Sequence, residues 1–276
     1  MALRVSQGTS TVRHPLAGRG RRAPRAPMIE AASEDVPYRR FAEVYDALLG
    51  DHSFPEMRLA FEWIRDRHAV HFASAADIGC GTGTFVDYLC RVGAGPVWGV
   101  DRSPQMLEVA AVKNAGNRAR FLCQDMRELH LPQTVDLITC QFEALNYLTT
   151  TDDLQLALGS FGRSLTAGGY AVFDVTTERL DDSAERRPVY LQRSPSGSVS
   201  VRTVYDPLAR TQTARLEVAD STGTEVEIHR QRTHTVDEVT TALAAGGLDL
   251  VAVHHLDDIL PGAEPSGCTF FLARLG

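Results

Sequence analysis

The chain has 276 residues, is 43% hydrophobic, and carries 28 Lys and Arg against 35 Asp and Glu for a net charge of −7. That is enough to bury one sizeable core, and no run approaches the roughly 20 apolar residues of a membrane-spanning helix, so no helical span is expected. Residues 1 to 27 hold six arginines (Arg4, Arg13, Arg19, Arg21, Arg22, Arg25) and no acid, which leaves −13 for an acidic body without the broad positive field of a nucleic-acid binder.

Taken in chain order, residues 1–33 are rich in Arg, Ala, Gly, Pro, Ser and Thr, a composition that cannot bury enough apolar surface to order itself. They are expected as a disordered basic leader. An organelle-targeting role is the other reading, weakened by prolines that break an amphipathic helix. Residues 34–276 read as one domain. Apolar residues at helical spacing predict two leading helices, from Glu34 to about Leu49 and from Phe54 to about His68.

Short β-rich runs (Ala75 to Ile78, Val97 to Val100, Arg120 to Cys123, Val135 to Cys140, Tyr170 to Val175) then alternate with helical stretches at Phe85 to Arg91, Gln105 to Ala111 and Asp152 to Leu165. The last is expected to close on Gly168-Gly169. This is the pattern of a parallel, doubly wound α/β sheet. Residues 187 to 233 change to four runs of period-2 alternation, predicting an antiparallel β insert at about 178–233, with breaker residues at Asp206-Pro207 and Asp220 to Gly223. A helix at Val236 to Ala245 and strands at Leu248 to His254 and Cys268 to Ala273 finish the chain. The five cysteines lack C-x-x-C spacing and lie mostly in apolar segments, which fits a reducing cytoplasm.

The stretch that carries chemistry is Asp77-Ile78-Gly79-Cys80-Gly81-Thr82-Gly83, set where a buried strand meets a helix. Glycines there let backbone approach a ligand, and the helix start offers unpaired N–H groups. The spacing is G-x-G-x-G, not the dinucleotide G-x-G-x-x-G, and the acid before it would repel a pyrophosphate. It suits an ammonium instead, and S-adenosylmethionine bears both an ammonium and a sulfonium. The next strand ends in Asp101, placed to accept from both ribose hydroxyls, and the third leads to Asp125-Met126, an acceptor for the adenine amino group and a cover for the ring. Asp77 alone is equally a helix cap; two further acids at successive strand ends favour the ligand.

With those residues in hand, the chain resembles class I S-adenosylmethionine-dependent methyltransferases over about residues 36 to 175 and again from about 235. Val135-Asp136-Leu137-Ile138, Leu145-Asn146-Tyr147-Leu148 and the leading Tyr38-x-x-Phe41-Ala42-x-Val44-Tyr45-Asp46 are similar to a bacterial branch that includes amino-sugar N-methyltransferases. The resemblance implies a Rossmann-like seven-stranded sheet of order 3-2-1-4-5-7-6 with the last strand antiparallel. It also implies an insert after the fifth strand that roofs the acceptor pocket, an N-terminal helix closing over the cofactor, and Tyr38 near the methionine carboxylate. That family often has Pro-Gly-Gly before the fifth strand, whereas here Thr166-Ala167 precede Gly168-Gly169, and the insert resembles the branch only loosely, so acceptor identity does not carry over.

The expected cofactor set is Tyr38, Asp77, Gly79, Gly81, Asp101, Asp125, Met126 and Gln141. Glu143, Tyr147 and His229 are the acceptor-positioning candidates. Asn146-Tyr147 reads equally as a cap and packing pair for the next helix. His229 and Arg232, alternating with Val226 and Ile228, are placed away from whatever those apolar residues bury, either orienting an acceptor or lying on a solvated strand face. His254-His255 beside Asp257 and Asp258 invites a metal site, but adjacent strand residues point to opposite faces, and no metal is expected. The reaction implied is in-line displacement of the methyl group onto nitrogen or oxygen of a small molecule by a monomer or homodimer. The alternatives are an RNA or protein methyltransferase, a nicotinamide-binding oxidoreductase and a non-catalytic subunit.

Overall fold

The computed structural model describes residues 37–93, 95–177, 189–194, 197–261 and 267–276. The leader expected over 1–33 and the first residues of the expected insert lie outside them. Helix α1 (Asp51–Arg67) precedes an alternation of β1 (Ala75–Ile78), α2 (Thr84–Val92), β2 (Val97–Asp101), α3 (Pro104–Lys113), β3 (Ala119–Cys123), β4 (Val135–Cys140), α4 (Thr151–Ser164) and β5 (Leu165–Thr176). An antiparallel meander follows: β6 (Val189–Ser194), β7 (Gly197–Asp206), β8 (Thr211–Asp220) and β9 (Gly223–Arg232). The chain then returns through α5 (Val236–Ala245), β10 (Leu248–His255), the short α6 (Leu256–Ile259) and β11 (Cys268–Leu275).

The main sheet has the order β10-β11-β5-β4-β1-β2-β3, with β1 to β5 parallel to their neighbours and β11 antiparallel to both β5 and β10. Numbered within the sheet alone, this is 3-2-1-4-5-7-6 with the last strand antiparallel. Every residue of β1 is buried, as a parallel strand covered on both faces requires. On one face Ile78, Ile138 and Phe173 pack against Leu154, Leu158 and Phe161 of α4 and Leu243 of α5. On the other, Ala75, Leu137 and Phe270 meet Phe61 and Ile64 of α1 and Phe85 and Leu89 of α2.

A third, smaller core joins Phe41 to Val199, Leu216 and Val218 of the insert, with Val44, Tyr45 and Leu48 packed around it. The segment ahead of α1 and the insert sheet are therefore one packed body. Here the predicted first helix gives way to a 3-10 turn at Phe41–Glu43 and a π turn at Asp46–Gly50 that runs into α1. The physical reason lies across the fold: the N–H groups of Tyr38 and Phe41 are given to the Glu227 carboxylate of β9 at 2.8 and 2.9 Å, and Tyr38 sits at φ +68. Pro55 inside α1 also lacks the N–H that would bond back to Asp51.

A second correction concerns Gly168-Gly169. They do not close α4, which ends at Leu165 in extended conformation. Gly168, at φ +76, instead lies in an irregularity of β5, where the pairing with β4 passes from Val135–Leu165 to Leu137–Tyr170.

Candidate active site

The glycine loop leaves β1 at the carboxyl edge of the sheet, beside the switch point where strand order reverses between β1 and β4. Gly79, Gly81 and Gly83 all have left-handed φ, and a Cβ on Gly79 would meet the Ala144 Cβ at 2.8 Å. Only glycine fits there. The helices α3, α4 and α5 start on side-chain caps from Ser103, Thr150 and Thr235, whereas α2 opens on Gly83 without one. The first residues of that helix, Thr84 and Phe85, line the crevice.

Around this loop the strand ends close an open crevice of about 1080 Å³. Asp77 accepts from Thr139 Oγ1 at 2.7 Å, and burial, partly opposed by that bond, pushes its carboxyl up to about 7. The Asp101 carboxylate accepts from Gly81 N at 2.9 Å and Ser103 N at 2.8 Å. Burial raises its pKa against those two bonds.

Asp125 is held differently. It caps the N–H of Arg127, and the Arg127 guanidinium grips both its oxygens, at 2.9 and 2.7 Å, while reaching Asp153 at 2.9 Å. The Arg127 hydrogen bonds bring the Asp125 carboxyl below its ordinary value.

At the end of β4, Gln141 is 2% exposed, lines the crevice, and has no hydrogen-bond partner for either end of its amide among the described residues. Its successors Phe142 and Glu143 both sit at left-handed φ, +61 and +59. Asp174 of β5 holds that strained pair by accepting from Glu143 N at 2.9 Å and from the Phe142 N–H.

The outer wall is aromatic. Tyr38 Oη lies 2.6 Å from Tyr147 Oη, which lies 2.8 Å from Nδ1 of His229. Nε2 of His229 lies 3.2 Å from Oε2 of Glu227, the carboxylate that also binds the Tyr38 and Phe41 backbone. Below them, Asp46 accepts from Thr82 Oγ1 at 2.5 Å and pairs with Lys113, the sole lysine.

A methyltransferase domain family model matches residues 75–169, from β1 into β5. The chain is 28% identical over 240 residues to dTDP-4-amino-2,3,4,6-tetradeoxy-D-glucose N,N-dimethyltransferase of Saccharopolyspora spinosa, covering 84% of this chain and 91% of that one. The chain is a class I S-adenosylmethionine-dependent methyltransferase. Its fold is shared with an S-adenosylmethionine-dependent methyltransferase of Clostridium acetobutylicum, at TM-score 0.70 and 22% identity over 86% of this chain and 98% of that one. It is shared as well with the amino pentose methyltransferase of Micromonospora echinaspora, solved with S-adenosylmethionine bound, at TM-score 0.63 and 22% identity over 89% and 100% of the two chains.

In this methyltransferase the eight residues expected on the cofactor side, together with Tyr147, line the single crevice just described. Glu143 and His229 are not among the lining residues: Glu143 lies between the lining residues Phe142 and Ala144, and His229 touches the wall through Tyr147. His229 is 5% exposed, so the solvated-face reading fails for it. Val226 and Ile228 form the half-buried face of β9, while the buried face carries Glu227 and His229. Arg232 shares the parity of Val226 and bonds His234 and Glu238 instead. Asn146 binds the backbone of Thr176 and Arg232, and the next helix takes its cap from Thr150 instead. His254 pairs with His68 at 2.9 Å and His255 with Thr269, on opposite faces. Met106, Phe54 and Arg102 also line the crevice without having been singled out for it, whereas Thr82, Tyr45 and Asp46 stood in quoted motifs.

Proposed function

We propose that this methyltransferase modifies a nitrogen or oxygen of a small-molecule acceptor in the cytoplasm, with the insert and the segment ahead of α1 as the roof of the acceptor pocket. The observation that carries the reading is the partnerless amide of Gln141, buried in the same crevice as Asp77, Asp101 and the glycine loop. A buried amide left unpaired costs about 1–3 kcal/mol, and a ligand with polar groups at that point removes the cost. These residues fit S-adenosylmethionine. Asp101 would hold the ribose hydroxyls, Asp77 and the glycine loop the amino-acid end, Met126 the adenine face, and Asp125 the adenine edge with whatever capacity Arg127 leaves it. Tyr38 and Tyr147, backed by His229, and the loop at Glu143 stand on the acceptor side.

When bound, the cofactor supplies a sulfonium methyl that an acceptor lone pair displaces in line. The protein's part is to align the acceptor and exclude water, which supplies several kcal/mol of barrier reduction. The names of the amino-sugar relatives and a crevice walled by tyrosines support a small acceptor. No helix among the described residues is long and apolar enough to cross a membrane.

The test is calorimetry and thermal shift on the purified chain. S-adenosylhomocysteine should stabilise it and NADH should not. Asp101→Ala should weaken that binding by about 1–3 kcal/mol, the range for hydrogen bonds to a charged group. Stabilisation by NADH alone, or transfer of label to tRNA with none to small amines or alcohols, would displace the reading.

A further inference from the structure

Glu227, which shares its face of β9 with the half-buried Glu225, is itself 2% exposed, and it reaches the site only through others. Burial would raise its pKa, but the hydrogen bonds from His229, Phe41 N and Tyr38 N prevail and bring it below the ordinary value. An ionised Glu227 is an acceptor only, so the Nε2 of His229 beside it must carry a proton. In the neutral ring Nδ1 is then bare, and it takes the Tyr147 hydroxyl proton at 2.8 Å. With its own proton spent, Tyr147 accepts the Tyr38 hydroxyl at 2.6 Å. Each donor in the row therefore points inward, and the crevice end presents the lone pairs of Tyr38 Oη, not its proton.

We propose that Tyr38, Tyr147, His229 and Glu227 form a one-way proton conduit that selects an acceptor with an N–H to give, a primary or secondary amine, with Glu227 as the positioning residue that sets its direction. This rests on the methyl-transfer reading and narrows it. The amine lone pair forms the new N–C bond as the S–C bond breaks with its electron pair left on sulfur. The product's N–H proton passes to Tyr38 Oη, the Tyr38 proton to Tyr147 Oη, and the Tyr147 proton to Nδ1 of His229. The resulting imidazolium is paired with Glu227, and the reverse shift returns the proton once product has left.

An amine needs only this late removal, after the new bond has formed. A hydroxyl must lose its proton during attack, and burial pushes both phenols up, so neither is present as the phenolate that could take that proton directly. The inward direction also leaves Tyr38 no hydroxyl proton for the methionine carboxylate, so that contact falls to other residues.

Histidine ¹⁵N NMR on the cofactor-free protein tests the direction without turnover. His229, assigned by its loss in His229→Gln, should show protonated Nε2 and bare Nδ1. Tyr147→Phe should shift Nδ1, and Glu227→Gln should mix the two tautomers. The opposite tautomer in the wild type, which needs no variant to fold, overturns the conduit. In transfer assays with labelled S-adenosylmethionine against a panel of primary-amine sugars and the matching alcohols, the amines should be labelled. His229→Gln should lower kcat at least tenfold with cofactor KM and S-adenosylhomocysteine affinity within twofold. Label on alcohols alone, or an unchanged kcat, overturns the proposal. Failure of S-adenosylhomocysteine to bind at all would instead sink the methyl-transfer reading, while the tautomer still decides the conduit.

Discussion

Gln141 keeps a polar amide at 2% exposure with nothing to bond among the described residues, although a methionine of similar volume would fill the same space without that penalty. Gln141→Met should accordingly stabilise the ligand-free protein by about 1 kcal/mol in urea unfolding and weaken S-adenosylhomocysteine binding by about 1–3 kcal/mol in calorimetry. A variant that loses stability and keeps affinity would make the amide a structural group. At this scale the sequence was informative where position along a strand decides a role: Asp77, Asp101 and Gln141 stand at or beside the carboxyl ends of their strands and meet in one crevice. It was silent where a partner decides. Arg127 stands two residues past Asp125 and takes both its oxygens, and nothing in the spacing announces that grip. Glu227 was invisible for a related reason. Alternation along β9 separates two faces without telling which is covered, and here the covered face is the polar one because the leading segment needs its N–H groups accepted.

That leading segment shows how an element is set by its surroundings. Its helical spacing at Phe41, Val44, Tyr45 and Leu48 is real, since these are the residues packed on the insert. A helix does not follow from it, because Glu227 and the turn at Tyr38 bend the chain first. By contrast α5, whose capping box of Thr235 and Glu238 lies within its own sequence, has the bounds predicted for it. The segment is tied down at its other end by Asp46, bonded to Thr82 of the glycine loop and to Lys113 at the end of α3. Lys113 also donates to Thr84 Oγ1 at 2.8 Å. An ion pair about one-quarter to one-third exposed adds little to global stability, roughly 0–1 kcal/mol, but it can decide how readily a local segment opens. Lys113→Gln should therefore leave the unfolding midpoint nearly unchanged while amide exchange at 46–49 quickens several-fold. Equal exchange in both proteins would show that the third core, not this tie, holds the segment.

Across the whole molecule, the alternation of short apolar runs with helices was sufficient for a parallel sheet covered on both faces, but strand order came with the family resemblance, because periodicity carries no information about which strands are neighbours. Nor does sequence disclose what burial does to charge. Asp174 is 0% exposed, one of its oxygens has no partner among the described residues, and burial, against the N–H groups of Glu143 and Phe142, pushes its carboxyl up to about 7. Asp77 is raised to about 7 as well, while burial and Arg232 bring His234 down to about 4. A carboxyl whose folded pKa exceeds the unfolded value of about 3.9 contributes stability that is full below that value and lost as pH rises through about 7. His234 acts in the opposite sense: its contribution is present above the unfolded value of about 6.5 and lost as pH falls through about 4. The wild-type profile sums these opposing slopes, so a single variant is read best as a difference from it. Asp174→Asn retains a carbonyl oxygen for the Phe142 and Glu143 N–H groups and removes the ionisation. Between pH 5 and pH 8 the stability of Asp174→Asn relative to wild type should move in the variant's favour by about 2–3 kcal/mol, measured by urea unfolding at both pH values. Should the gap stay constant, Asp174 is ionised throughout, and the strained turn at Phe142 and Glu143 is held by a full charge instead of a neutral acid.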